Sequence, residues 1–309
     1  MSLNWGPWAS VPGIRAAPGS PVTAVFYPSF PGGIALFVAN SDGEVFATAG
    51  RPDKGTWREW KTVSQGSTTP GAPVTAVPWG ERFAMFVADP GGGVYATGGT
   101  PPTQNAPESW GSWGTVSQGS TTPGAPVTAV TDPITGVPIT LFVADPNGGI
   151  YTSSGDPQGG FGGWSYVNPA SGPDFRAAPG SPVTADSSGD GLFTAYATRI
   201  DGLVSFTSRD VQGSWQQWSQ IPGVAVLPGT PITVAVPSAL LRSLFVTDLN
   251  GRVYTTAGAS PANWDWVQQG TTEPGSRVTA FYEGEFSISV FVTGSDGQVY
   301  FTRATNFEF

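Results

Sequence analysis

The sequence predicts an all-β protein, a six-bladed β-propeller of four-stranded antiparallel blades, on three observations. One composite phrase returns six times at intervals of about fifty residues. Each copy contains four short runs of strand character, and no stretch sustains a helical period. A fixed period of this length, written in strands, is the signature of sheets arranged in a ring.

The elements follow in chain order within each copy. The phrase starts with Trp-x-x-Trp-x-x-Val or its equivalent, read as the outer strand, with the second Trp at Trp8, Trp60, Trp113, Trp164, Trp218 and Trp264. A Pro-Gly turn then delivers a Val-Thr or Ile-Thr pair, at Val22, Val74, Val127, Val183, Ile232 and Val278, which opens the inner strand. The second strand carries the hairpin aromatic: Phe37, Phe86, Phe142, Tyr196, Phe245 or Phe291. The third strand is a Gly-x-Val-Tyr-x-Thr run, as at Val253 to Thr256. Asp42-Gly43, Asp201-Gly202, Asn250-Gly251 and Asp296-Gly297 stand between second and third strands. Asx-Gly tolerates the left-handed backbone of a tight hairpin, so these pairs mark strand-turn-strand units. Residues 62–77 and 115–130 even share one string, TVSQGSTTPGAPVTAV.

The last copy ends on Val299-Tyr300-Phe301-Thr302 without an outer Trp strand, and Trp5 to Val11 supply one. Residues 5–11 are therefore expected to complete the blade of residues 278–309. Such closure needs no disulfide and leaves no open sheet edge. The reading is a single propeller domain over 1–309, with repeats near 5–56, 57–109, 110–162, 163–213, 214–262 and 263–309.

Composition narrows the chemistry. Gly 43 and Pro 30 sit at repeat-fixed turns, and 12% aromatic residues are available to fill the spaces between blades. A net charge of −9 repels phosphate backbones, so no nucleic-acid partner is expected. The chain has no long apolar run and no basic-then-apolar start, so membrane insertion is not expected either. A soluble protein, secreted or cytoplasmic, is the reading, and self-association into a homo-oligomer is left open. Cys and His are both absent. That removes thiol nucleophiles, Ser-His pairs and the usual zinc ligands, so no metal and no cofactor is expected. Carboxylates remain the one route to catalysis, as in glycoside hydrolysis. The acids that break the repeat are Asp174, Asp186, Asp190, Glu283 and Glu285, and the plainer reading is that they solvate loops. No catalytic residue is assigned.

Binding candidates come from the repeat. Side chains three apart on an extended strand point to opposite faces. One Trp of each pair is thus expected in the core, and its mate on a cleft where a flat apolar face suits a sugar ring. Trp5, Trp57, Trp110 and Trp215 are the cleft candidates; Phe161 takes this place in the fourth copy. Gln65 and Gln118, in duplicated loops, and the turn residues Asp89, Asp145 and Asp248 could read sugar hydroxyls. The Asp-x-Asn-Gly turns lack the further oxygen ligands of a calcium loop. Trp79 stands outside the repeat, in an expected loop after the second inner strand, as a solvent-facing aromatic. The recurrent Thr23, Thr75, Thr128, Thr184, Thr233 and Thr279 are expected beside the central channel as structural residues.

The run Phe245-Val246-Thr247-Asp248-Leu249-Asn250-Gly251-Arg252-Val253-Tyr254 resembles the hairpin of the six-bladed fucose lectins of fungi and bacteria, and the Trp-rich repeat is similar to that of tectonin-like propeller lectins. The resemblance implies carbohydrate binding in the clefts between adjacent blades. That family's sugar pattern includes an Arg two residues before the hairpin aromatic and a Glu two residues after the next strand's hydrophobic. Here those places hold Ser243 and Thr255, or Ala35 and Ala47. The reading is a multivalent, lectin-like binder of glycans or glycoconjugates whose duplicated loops favour avidity. The alternatives are a carboxylate-dependent glycosidase or lyase on one face and a protein-interaction scaffold.

Overall fold

The computed structural model describes residues 4–5, 9–14, 16, 20–26, 33–101, 108–131, 138–168, 175–189, 192–210, 212–224, 226–238, 241–257, 264–282 and 287–305. Its strands form six antiparallel sheets, each ordered from inner to outer strand as the sequence reading expects. In the first blade the inner, second and third strands are Thr23–Phe26, Ile34–Ala39 and Glu44–Arg51. Its outer edge is split into Thr56–Trp57 and Lys61–Ser67. The later blades repeat this plan, with inner strands Thr75–Trp79, Thr128–Thr131, Val183–Gly189, Thr233–Ser238 and Thr279–Tyr282.

The sixth blade is closed as expected. Its third strand, Val299–Thr305, pairs with Asn4–Trp5 and Ala9–Ser10, placing Trp5 opposite Ala304 and Ala9 opposite Phe301. The Val11 and Ala16 N–H groups then donate to Val299 and Gly297 carbonyls, both at 3.0 Å.

Each hairpin between second and third strands is built as Asx chemistry dictates. Asp89 Oδ1 accepts from Gly91 and Gly93 N–H at 2.9 and 2.7 Å, and Asp145 and Asp248 make the same pair of bonds in their own turns. At the tip, Gly92 has φ +82, and a Cβ there would collide with the Thr121 carbonyl. The turn is tied to the approaching loop by Thr121 N–H to Gly92 O at 2.9 Å. Glycine is required here by conformation and by space together.

The inner strands are fastened to each other by threonine. Thr23 Oγ1 donates to the Val74 carbonyl of the next blade, and Thr75, Thr128, Thr184 and Thr233 repeat the bond to Val127, Val183, Ile232 and Val278. Thr279 completes the circle on Val22. The six side chains do line the axial cavity. The hydroxyl explains why Thr, rather than the isosteric Val, recurs there: each blade's edge carbonyl would otherwise be buried without a donor.

The apolar core lies in the seams between blades. In the seam from first to second blade, Val25, Ala35, Phe37 and Ala47 meet Val74, Phe83 and Met85. Phe37 and Phe83 pack edge-to-face at 5.9 Å, and both are fully buried. Edge-to-face packing suits the ring quadrupole and adds to the area buried.

Candidate functional site

The seam with its outer Trp pair is the repeated feature of the molecule, and its construction starts at a bulge. In the first blade Gly50 pairs with Trp57, and Ala47 pairs with Lys61. Thr48 and Ala49 on the third strand thus face Arg58, Glu59 and Trp60, one residue more, on the outer strand. The extra residue is held in place: Arg58 N–H donates to Ala49 O at 2.8 Å, while its carbonyl accepts from Thr48 Oγ1 at 2.8 Å. Thr97 with Gly111, Ser153 with Gly162 and Thr207 with Gln216 repeat this device in blades two to four.

The bulge changes where the indoles point. An extended strand would put Trp57 and Trp60 on opposite faces, but one inserted residue restores them to the same face. Both join the cluster of Val11, Val22, Ile34, Phe291 and Phe301 in the seam between the sixth and first blades. Trp110 with Trp113, Phe161 with Trp164, and Trp215 with Trp218 are likewise packed as pairs, each into a single seam. The expectation of one core Trp and one opposite-facing Trp is therefore corrected.

The sequence-derived candidates fall as follows. Trp57 packs edge-to-face on Phe291 and Phe301, Trp110 on Phe37, and Trp215 on Phe142, with centroids 6.0–6.3 Å apart. All three rings keep partial exposure. Beneath Trp57 the third strand must be bare, since a Cβ at Gly50 would enter the indole. Trp5 is in its outer strand, and Gln65 and Gln118 are in theirs, but the side chains of all three lie outside the described residues. Asp89, Asp145 and Asp248 each commit one carboxylate oxygen to their hairpin turns. Trp79 is not in a loop. It ends the inner strand Thr75–Trp79, half-buried over Gly98, with the Arg82 guanidinium 5.2 Å from its ring. A cation stacked on the indole, and a glycine that admits it, fix the ring against the blade. It was expected to face solvent; packing against the second seam overrides that.

The second-position Trp is roofed by the loop leaving the preceding blade. Trp60 Nε1 donates to Pro12 O at 3.2 Å, Trp264 Nε1 donates to Pro222 O at 3.4 Å, and Trp218 stacks on Phe175 with centroids 3.9 Å apart. The buried indole N–H groups of Trp57, Trp110, Trp164 and Trp218 meet no acceptor among the described residues.

One seam departs from the rest. Between the fourth and fifth blades, Asp186 stands where Val25 does in the first blade, and Arg242 where Phe83 does in the second. Arg242 Nε donates to Asp186 Oδ2 at 2.5 Å, with the carboxylate side chain 7% exposed and the guanidinium 27%. Burial raises the Asp186 carboxyl, against the opposing pull of Arg242, and burial also raises the Tyr196 phenol in the same seam. Asp186 is therefore not a loop-solvating acid. Sequence reasoning noticed Asp186 as a break in the repeat but missed Arg242; the signal was a second break in the facing column. Asp174, Asp190, Glu283 and Glu285 lie outside the described residues. At the positions where the fucose-lectin pattern has Arg and Glu, Ala35 and Ala47 are fully buried and Ser243 and Thr255 nearly so.

No protein-family model and no curated protein sequence matches the chain. Solved structures do match. AofleA from Arthrobotrys oligospora superposes with a TM-score of 0.72 at 14% identity, over 97% of this chain and 87% of that one. BP39L lectin from Burkholderia pseudomallei gives 0.68 at 16%, over 93% and 81%. The fucose-specific lectin from Aleuria aurantia gives 0.63 at 15%, over 90% and 89%. What the chain shares with these lectins at such identities is the six-bladed β-propeller fold.

Proposed function

We propose that this protein is a multivalent carbohydrate-binding protein whose sites lie in the seams between blades. The observation that carries the reading is the repeated seam itself. In the seams entered by blades one to four, two aromatic rings from one outer edge pack into the same apolar cluster, and Trp60 and Trp218 are covered by a loop from the blade before. Partly exposed indole faces suit the C–H faces of a sugar ring. The fold is one on which lectins are built, and structures sharing it were solved with α-methyl fucoside and with Fucα1-6GlcNAc.

Copying weak sites around a rigid ring gains avidity of roughly a hundredfold or more against clustered glycans, which would favour duplicated loops over one elaborated site. The small residues at positions 35, 47, 243 and 255 argue for a ligand other than fucose read in the family's manner. The test is a glycan array at micromolar protein, followed by haemagglutination with free-sugar inhibition. Retention of a defined glycan class, with agglutination reversed by its monosaccharide, is the expected result. An array on which no glycan is retained would sink the reading.

A further inference from the structure

The axial cavity breaks the six-fold pattern at one position. The residue before the Val-Thr pair is Pro21, Pro73, Pro126, Pro182 and Pro231 in five copies, but Arg277 in the sixth. The Arg277 side chain lines the cavity of about 210 Å³ formed by the inner strands. One of its terminal nitrogens is buried and meets no hydrogen-bond acceptor among the described residues. Burial lowers its affinity for the proton, and no described carboxylate offsets that.

Arg277 as a whole is only half-buried, but a guanidinium nitrogen held out of water without an acceptor is unfavourable, so its place in a cavity calls for a counter-charge. The walls can help to supply the remaining bonds. The Val22 carbonyl accepts from Thr279 and so points away from its own sheet, and backbone groups two residues on, at Ala24, face the same way by strand alternation. The equivalent residues of all six inner strands line the same cavity. By the same alternation the lining carries both backbone N–H donors and carbonyl acceptors that the sheets do not use, and Arg277 is the one cation among the described lining residues.

The geometry points to a single anion-binding site on the propeller axis, with Arg277 as its anchor and a small oxyanion, phosphate or sulfate, as its ligand. The site is separate from the seams and occurs once per ring. A planar guanidinium matches two oxygens of a tetrahedral anion, and the cavity admits an ion of that size but not a polymer.

The test is thermal unfolding of the full chain in buffers of fixed ionic strength, with phosphate or sulfate replacing chloride, paired with the ³¹P line width of inorganic phosphate. The expected result is a rise in Tm that saturates at low millimolar anion, with broadened phosphate resonance. In Arg277→Pro, which restores the residue of the other five copies, the affinity falls at least about tenfold. Arg277→Met serves the same comparison if the proline variant does not fold. A rise that fails to saturate and is equal in wild type and variant reflects exclusion of these anions from protein surface, and it overturns the site. Equal Tm in chloride and phosphate for the wild type overturns it as well.

Discussion

The seam between the first and second blades and the seam between the fourth and fifth occupy equivalent places in the ring, yet they are closed by different chemistry. The first is hydrocarbon: Val25 faces Phe83, with Phe37 edge-on beside them. The other replaces that contact by Asp186 and Arg242, with Tyr196 where the second strands of the other blades have Phe. An apolar seam tolerates sliding and repacking as long as volume is kept. A buried charge pair tolerates neither, because each partner is costly alone. The fourth and fifth blades are thus specified as neighbours in a way the first and second are not.

That contrast can be broken at several points. The largest loss is expected for Phe83→Ala, about 4 kcal/mol from the fully buried ring and the cavity it leaves, read by urea unfolding. Asp186→Asn should cost about 3 kcal/mol by the same measurement, at the low end for a broken buried pair because Arg242 keeps some exposure. Replacing both partners by the apolar types found in other seams, Asp186→Val with Arg242→Ile, should reverse the loss. The double variant is expected to match the wild type or exceed it by roughly 1–2 kcal/mol; a double variant as unstable as Asp186→Asn would show that the charges do more than close the seam. The smallest effect belongs to the axial threonines. Thr23→Val and Thr184→Val should each cost about 1 kcal/mol, and equally, since both strand-to-strand bonds are the same whatever the seam chemistry. Unequal losses would mean that the axis feels which seam it serves.

The two seams also show how far the sequence could be read. The ring, the blade number and the closing strand were legible because each rests on periodicity, and a marker such as Val-Thr or Asx-Gly has one structural meaning wherever it occurs. The facing of the Trp pairs was not. Alternation counts residues along an extended strand, and one bulge residue, held by Thr48 or Thr97 from the neighbouring strand, inverts the count. Trp79 was read from its break with the repeat, whereas Arg82 and Gly98 decide its position through contacts that no local pattern records. The turn acids were legible in kind, as Asx residues, and their hydrogen bonds explain why three of them recur at the same place.

The bond from Thr279 to Val22 joins residues 257 positions apart. An open solenoid lets its end repeats fray while the middle holds, because each unit answers only to its neighbours. A circle has no end repeat. Opening any one blade exposes two seams at once, so partial melting is penalised twice and unfolding becomes an all-or-none event for the whole ring. The same bond sets an order in time: during synthesis the first inner strand must wait, with one seam uncovered, until the sixth emerges to meet it.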